Sequence, residues 1–243
     1  MMRSKGVILS LCDLTGHGVK DWVENGYDAI LVDPQHTFDN HCQIIEIKEG
    51  HGIITRVDQI IDHPMTWRRI RERWEEIVFV AAYPPCTDVA VSGARWFEEK
   101  AKKDPHFQTK AALIAEQCRT IGNLLGVPWY FENPVSVFSS IFGKAQYTFD
   151  PYQYGGYLPE DDVHPEYPEY IAPRDAYPKT TNLWTSRNFV MPPPKPVEVP
   201  DGYSTQYNKL GGKSDKTKNI RSATPRGISK AIYLYNAPHL QEL

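Results

Sequence analysis

The apolar run Ile77-Val78-Phe79-Val80-Ala81-Ala82 stops abruptly at Tyr83-Pro84-Pro85-Cys86. Such a run bounded by a turn signal reads as a buried strand. A proline pair cannot continue a sheet ladder, and it holds the residue before it extended. The chain therefore delivers Cys86 on a stiff turn at the carboxyl end of a strand, where open α/β sheets place ligands and catalytic groups. Taken alone, Cys86 reads as a small buried apolar side chain, because cysteine is among the most buried residue types. Its company decides between the two readings.

That company begins at the amino terminus. Val7-Ile8-Leu9-Ser10-Leu11-Cys12 reads as a first buried strand, followed by Asp13-Leu14-Thr15-Gly16-His17-Gly18. A helix with Val19, Trp22 and Val23 on one face should follow, stopped by Gly26. Asp28-Ala29-Ile30-Leu31-Val32-Asp33 then gives a second strand ending on a carboxylate. Glycines permit close backbone approach and positive φ, and a helix amino terminus offers unpaired N–H groups. An acid after the second strand can accept both ribose hydroxyls, and Asp33 lies near the spacing that contact requires. Gly16-x-Gly18 lacks the third glycine of the dinucleotide fingerprint, which argues against NAD and for S-adenosylmethionine as the nucleoside ligand. By itself the glycine pair also fits an ordinary tight turn.

Farther along, Gly52-Ile53-Ile54-Thr55 is a third strand candidate followed by Asp58. Met65 to Glu76 reads as a helix with Trp67, Ile70 and Trp74 on one stripe, and its Arg68, Arg69, Arg71 and Arg73 read as a solvated face. Gln108 to Leu125 is a long amphipathic helix stopped by Gly126. Pro128-Trp129-Tyr130-Phe131 is a short strand, with Glu132-Asn133-Pro134 at its tip and a helix expected from Ser136 to Phe142. Residues 151–200 then hold 11 of the chain's 20 prolines, along with Tyr152, Tyr154, Tyr157, Tyr167, Tyr170 and Tyr177. Such a segment is an inserted lobe rather than continued βα alternation, and its tyrosines are expected to pack. Residues 201–230 are locally basic, and Gly211-Gly212-Lys213-Ser214 is too short for a phosphate loop. Thr224-Pro225 opens a closing helix, Arg226 to Tyr235, with threonine as N-cap.

At 243 residues, 41% hydrophobic, the chain suits one medium domain or a core with an appendage. A net charge of -3 advertises no polyanion partner. Cys12, Cys42, Cys86 and Cys118 show no paired spacing, so neither disulfides nor a zinc ribbon is supported. His36, His41 and Cys42 match no ligand motif, and no metal is expected. No secretory signal or membrane-length apolar run is seen, and the expectation is a soluble monomer in a reducing cytoplasm.

Leu14-x-Gly16-x-Gly18, Pro84-Pro85-Cys86 and Glu132-Asn133-Pro134, each at a strand end and in this order, resemble the cytosine-5 DNA methyltransferase family, in a short phage-like form. Arg221-Ser222-Ala223-Thr224-Pro225-Arg226 is similar to that family's late Arg-x-x-Thr-Pro segment. The resemblance covers roughly residues 6–142 and 221–236. It implies a class I methyltransferase fold: a Rossmann-like, mostly parallel sheet with helices on both faces and a small irregular Pro/Tyr-rich recognition lobe. The implied division is a catalytic core over 1–148, a lobe over 149–220 and a helix over 221–243 returning to the core. It implies transfer of a methyl group from S-adenosylmethionine to cytosine C5 in DNA, with Cys86 as nucleophile and Glu132 on cytosine N3. Leu14, Gly16, Gly18, Asp33, Asp58 and Pro85 would line the cofactor site, and Asn133, Lys179, Arg187, Arg221 and Arg226 the DNA side. The chain departs from the family pattern at Leu14, where an aromatic is usual, at Thr87 and at Pro134. Two alternatives stay open: methylation of an exocyclic amine of cytosine or adenine, and action on a free deoxycytidine nucleotide.

Overall fold

The computed structural model describes residues 4–38, 43–200 and 214–241, so His41, Cys42 and the Gly211-Gly212-Lys213 stretch lie outside the described residues. The chain divides into two compact units, residues 1–148 with 181–189, and residues 149–180 with 190–243.

The first unit is built on an eight-stranded sheet of order β3-β4-β2-β1-β5-β6-β8-β7. Its strands are β1 (Val7–Leu11), β2 (Asp28–Val32), β3 (Ile44–Glu49), β4 (Gly52–Val57), β5 (Ile77–Ala82), β6 (Trp129–Pro134), β7 (Tyr147–Phe149) and β8 (Thr181–Thr185). The five central strands β4-β2-β1-β5-β6 all pair in parallel. This is an α/β architecture in which the chain steps outward from β1 on one side, then returns to lay β5 against β1 on the other. The place where the direction reverses, between β1 and β5, is the crevice at which open sheets of this kind bind ligands. β3 pairs antiparallel with β4, and β8 pairs antiparallel with β6.

Strand alternation sorts the core. Phe79 of β5 faces Trp22 of α1 (Lys20–Glu24), with ring centroids 5.0 Å apart, and Tyr130 of β6 at 5.9 Å. Val80 and Ala82 turn the other way, into a cluster with Ile70 of α2 (Pro64–Glu72) and with Ala111, Ala115, Cys118 and Ile121 of α4 (Phe107–Leu125), which follows the short α3 (Phe97–Lys103). Helices thus cover both faces. Arg68 and Arg69 pair with Glu72 at the surface as expected, whereas Arg73 turns back to the buried Asp28 at 2.9 Å.

Three details differ from the sequence reading. A separate strand β3 precedes the expected Gly52 strand, because Glu46, Lys48 and Glu49 on an exposed edge disguise it as loop. Glu132-Asn133-Pro134 does not form a tip after β6 but continues it, with Pro134 opposite Thr181 and Glu132 opposite Leu183 of the antiparallel neighbour. The helix expected over 136–142 is a single turn, α5 (Phe138–Ile141).

In the second unit a 3-10 stretch, Pro151–Tyr157, is capped by reciprocal Asp150 and Gln153 contacts. Tyr154 and Tyr157 are buried and donate to the carbonyls of Pro192 and Pro193 at 3.2 and 2.8 Å, so these tyrosines pack as expected. A small core joins Ile171 and Tyr177 to Ile220 of α6 (Asp215–Ser222) and to Ala223. The closing helix α7 (Arg226–Asn236) belongs to this unit, not to the first as the sequence suggested. Pro225, rather than Thr224, occupies its N-cap position. An acidic pair holds its first turn. Arg226 donates to both oxygens of Asp162 at 2.7 and 2.6 Å, and Asp175 accepts from the Gly227 N–H at 2.9 Å.

Replacing Arg226 by Met strands Asp162 and Asp175 as buried carboxyls without their cation. Breaking such a pair costs about 3–5 kcal/mol. Denaturant unfolding of the full chain should show that loss, with much of it recovered when Asp162→Leu is added.

Candidate active site

The Gly16 loop follows β1 directly. Cys12 leaves the strand at φ 56°, a left-handed conformation uncommon outside glycine, and turns the chain across the strand ends. Asp13 then organises what comes next. Its Oδ1 accepts the backbone N–H groups of Thr15 and Gly16 at 3.0 and 2.7 Å, and its Oδ2 accepts the Ser10 hydroxyl at 2.7 Å. Gly16 sits at φ 80°, where a side chain would be strained and would press on Leu31. From β4, Arg56 donates to the carbonyls of Leu14 and Thr15 at 2.7 and 3.3 Å. Asp13 and Arg56, neither assigned a role from sequence, hold the loop from its two ends.

Gly18 is required by a different neighbour. A Cβ there would lie 2.0 Å from the Tyr83 hydroxyl, so the close approach at this glycine is made by the protein itself. The Tyr83 hydroxyl also lies 2.6 Å from that of Tyr130, and the rings meet edge-on at 6.0 Å. Burial pushes both phenols well above their ordinary range, with the charges of Asp13 and Glu132 adding to the effect at each.

Asp33, Asp58 and His36 gather at the carboxyl ends of β2 and β4. Asp33 accepts the Gln35 N–H at 2.8 Å. Burial nevertheless raises its carboxyl, and the neighbouring Asp13 and Asp58 charges push the same way. His36 is 3% exposed and its Nε2 has no hydrogen-bond partner among the described residues. Burial lowers its imidazole to about 4, with Arg56 contributing, so it is neutral at pH 7. His36, which matches no ligand motif in the sequence, is a buried member of this cluster. No group of three or more His, Cys, Asp or Glu arranged to hold a metal occurs among the described residues.

The turn that carries Cys86 and the strand end that carries Glu132 are tied together through strand pairing. In the β5–β6 register Ala82 stands beside Phe131, so one step further Tyr83 lies beside Glu132 and two steps further Pro84 beside Asn133. The buried Asn133 Nδ2 donates to the Pro84 carbonyl at 2.9 Å. Beyond Cys86 the chain turns, with the Val89 and Ala90 N–H groups returning to the Cys86 carbonyl. Ala90 then bridges Ser136, so the segments after Cys86 and after Glu132 are joined again. Pro85 is exposed and Cys86 and Glu132 are half-buried on this rim. Cys86 is in no disulfide.

The remaining expected DNA-side residues divide between the two units. Arg187 lines an open hollow of about 510 Å³ with Arg119, Trp129 and Trp184. That hollow is at the amino end of β6, four residues or about 13 Å along the strand from Asn133. Arg187 therefore does not face the cysteine, a correction to its expected role. Lys179, Arg221 and Arg226 belong to the second unit, where Lys179 Nζ donates to the Arg221 carbonyl at 2.8 Å. Arg226 is taken up by Asp162 and Asp175 and is a structural cation rather than a DNA contact.

Gly18→Ala should destabilise the first unit by roughly 1–3 kcal/mol, the usual range for overpacking. Combining it with Tyr83→Phe, which removes the clashing oxygen, should recover part of that loss, and a double-mutant cycle should show coupling above about 0.5 kcal/mol. Matches to this chain were sought among models of known protein families and among curated proteins, and neither search gave one.

Proposed function

We propose that this protein is a class I methyltransferase that transfers a methyl group from S-adenosylmethionine to C5 of cytosine in DNA, with Cys86 as nucleophile and Glu132 as acid. The observation that carries the reading is the Asn133–Pro84 hydrogen bond of 2.9 Å, which ties the strand bearing Glu132 to the turn bearing Cys86. A thiol and a carboxyl are thereby held on one rim beside the crevice between β1 and β5.

The residues around that crevice fit the cofactor. Gly16 holds a positive-φ turn at the strand end, and Asp33 and Asp58 lie beside a buried His36 nitrogen that has no hydrogen-bond partner among the described residues. Leu14, Gly16, Asp33 and Asp58 would hold the nucleoside, and Pro85 would border it. When bound, S-adenosylmethionine supplies an electrophilic methyl group.

Cytosine C5 is too weak a nucleophile to take that methyl group unaided. Addition of the Cys86 thiolate to C6 makes C5 part of an enamine, and only the thiolate is competent for this step. Glu132, protonated, donates to N3 and neutralises the charge that develops on the ring. Loss of the C5 proton and expulsion of the thiolate then restore the aromatic ring. The base must leave the duplex to reach Cys86. Asn133, through Pro84, keeps the cysteine turn at a fixed height relative to Glu132. Transfer to an exocyclic amine would need an aromatic platform after the proline pair, where this chain has Cys86.

Labelled methyl transfer to DNA, followed by nucleoside mass analysis, should give 5-methylcytosine. Cys86→Ser should abolish it, and Glu132→Gln should slow it about 10²–10⁴-fold, the range of a lost general acid. DNA carrying 5-fluorocytosine should trap a covalent adduct on the wild type and none on Cys86→Ser. An N4- or N6-methylated product, or turnover that survives Cys86→Ser, would overturn the proposal.

A further inference from the structure

The feature that the mechanism leaves unused is Tyr83, a phenol at the end of β5 beside the crevice where the chain direction reverses. Its two ends have different surroundings. The hydroxyl is enclosed by Gly18 and by the Tyr130 hydroxyl at 2.6 Å, yet the residue as a whole is only half-buried. The residue keeps some exposure at the strand end, beside the crevice. The anchored oxygen and the edge-on contact with Tyr130 at 6.0 Å fix its orientation. The Asp13 carboxylate, held in place by the Gly16 loop, sets a negative field near it. Two residues before Gly16 the loop carries Leu14 rather than an aromatic side chain.

An immobilised aromatic ring in a negative field, beside a ligand crevice, is suited to a cation. The negative face of the ring attracts positive charge, by more when water is excluded. Resting on the cofactor reading above, we infer that Tyr83 selects the charged methyl donor: its ring receives the sulfonium of S-adenosylmethionine and gains little from the neutral thioether left after transfer. The residue thus favours binding of donor over product, a role separate from the nucleophile and the acid.

The test measures binding rather than turnover. S-adenosylmethionine and S-adenosylhomocysteine are titrated calorimetrically into the wild-type chain, Tyr83→Phe, Tyr83→Leu and a series with fluorinated phenylalanines at position 83. Fluorination drains the ring face of negative charge at nearly constant shape, so it keeps the test sound even where Tyr83→Leu does not fold. The phenylalanine variant should keep the wild-type preference for the donor. The leucine variant should lose about tenfold in donor affinity, within the range of such contacts, with product affinity nearly unchanged. Donor affinity should fall stepwise along the fluorinated series. A flat series, or equal losses for donor and product, overturns this inference alone. Failure of the wild type to bind either compound overturns the cofactor reading and this inference with it.

Discussion

The adjacency of β5 to β1 on one side and to β6 on the other is the constraint from which the candidate site follows. Both pairings are parallel, so all three strands end at the same edge of the sheet, and each end carries a different chemical group. β1 ends in the Asp13 loop, β5 in the proline turn and β6 in Glu132-Asn133. Were any one of these pairings antiparallel, its group would lie a strand length away. Register does the finer placement. Ala82 opposite Phe131 sets Pro84 against Asn133, and the hydrogen bond between them closes the corner.

Much of this was legible from local pattern. The apolar runs that became β1, β2 and β5 bury their side chains as sequence periodicity requires, whereas α4 buries Ala111, Ala115, Cys118 and Ile121 and leaves Leu113 and Leu124 exposed. Contacts between distant residues were not legible. Arg56 reaches carbonyls 41 and 42 positions earlier, Tyr83 meets Tyr130 across 47 positions, and Asn133 meets Pro84 across 49. No local rule pairs such residues; only the fold does. β3 escaped notice because an exposed edge strand carries charges at positions that a buried strand fills with apolar groups. Glu132 was assigned to a tip because Pro134 reads as a strand breaker. Here the proline ends the ladder beside Thr181, at the boundary that proline tolerates.

The glycines illustrate how a motif can be right in position and different in cause. Gly16 answers to its own backbone, at φ 80°. Gly18 answers to a tyrosine that comes from β5, not to an approaching ligand. A sequence pattern cannot separate these demands, because each merely excludes a Cβ. The distinction matters for chemistry: a glycine backed by the Tyr83 hydroxyl forms a wall of the crevice rather than an opening into it.

The three aspartates at this edge divide by their hydrogen bonds. Asp13 accepts from Ser10, Thr15 and Gly16, and so spends its oxygens on holding the loop. Asp33 is opposed by burial and by like charge from Asp13 and Asp58, which leaves its ionised form short of stabilisation within the chain. A carboxylate in that condition gains from any hydroxyl donor brought to it, whereas Asp13 has little to gain. On these grounds Asp33 suits a ligand hydroxyl pair and Asp13 does not, although Asp13 lies closer to the glycine pair in sequence. The same comparison explains why the loop can be rigid before any ligand arrives. Its own carboxylate and the Arg56 guanidinium satisfy it, and the acid that the proposed reading gives to the ligand, Asp33, is a separate residue after a separate strand.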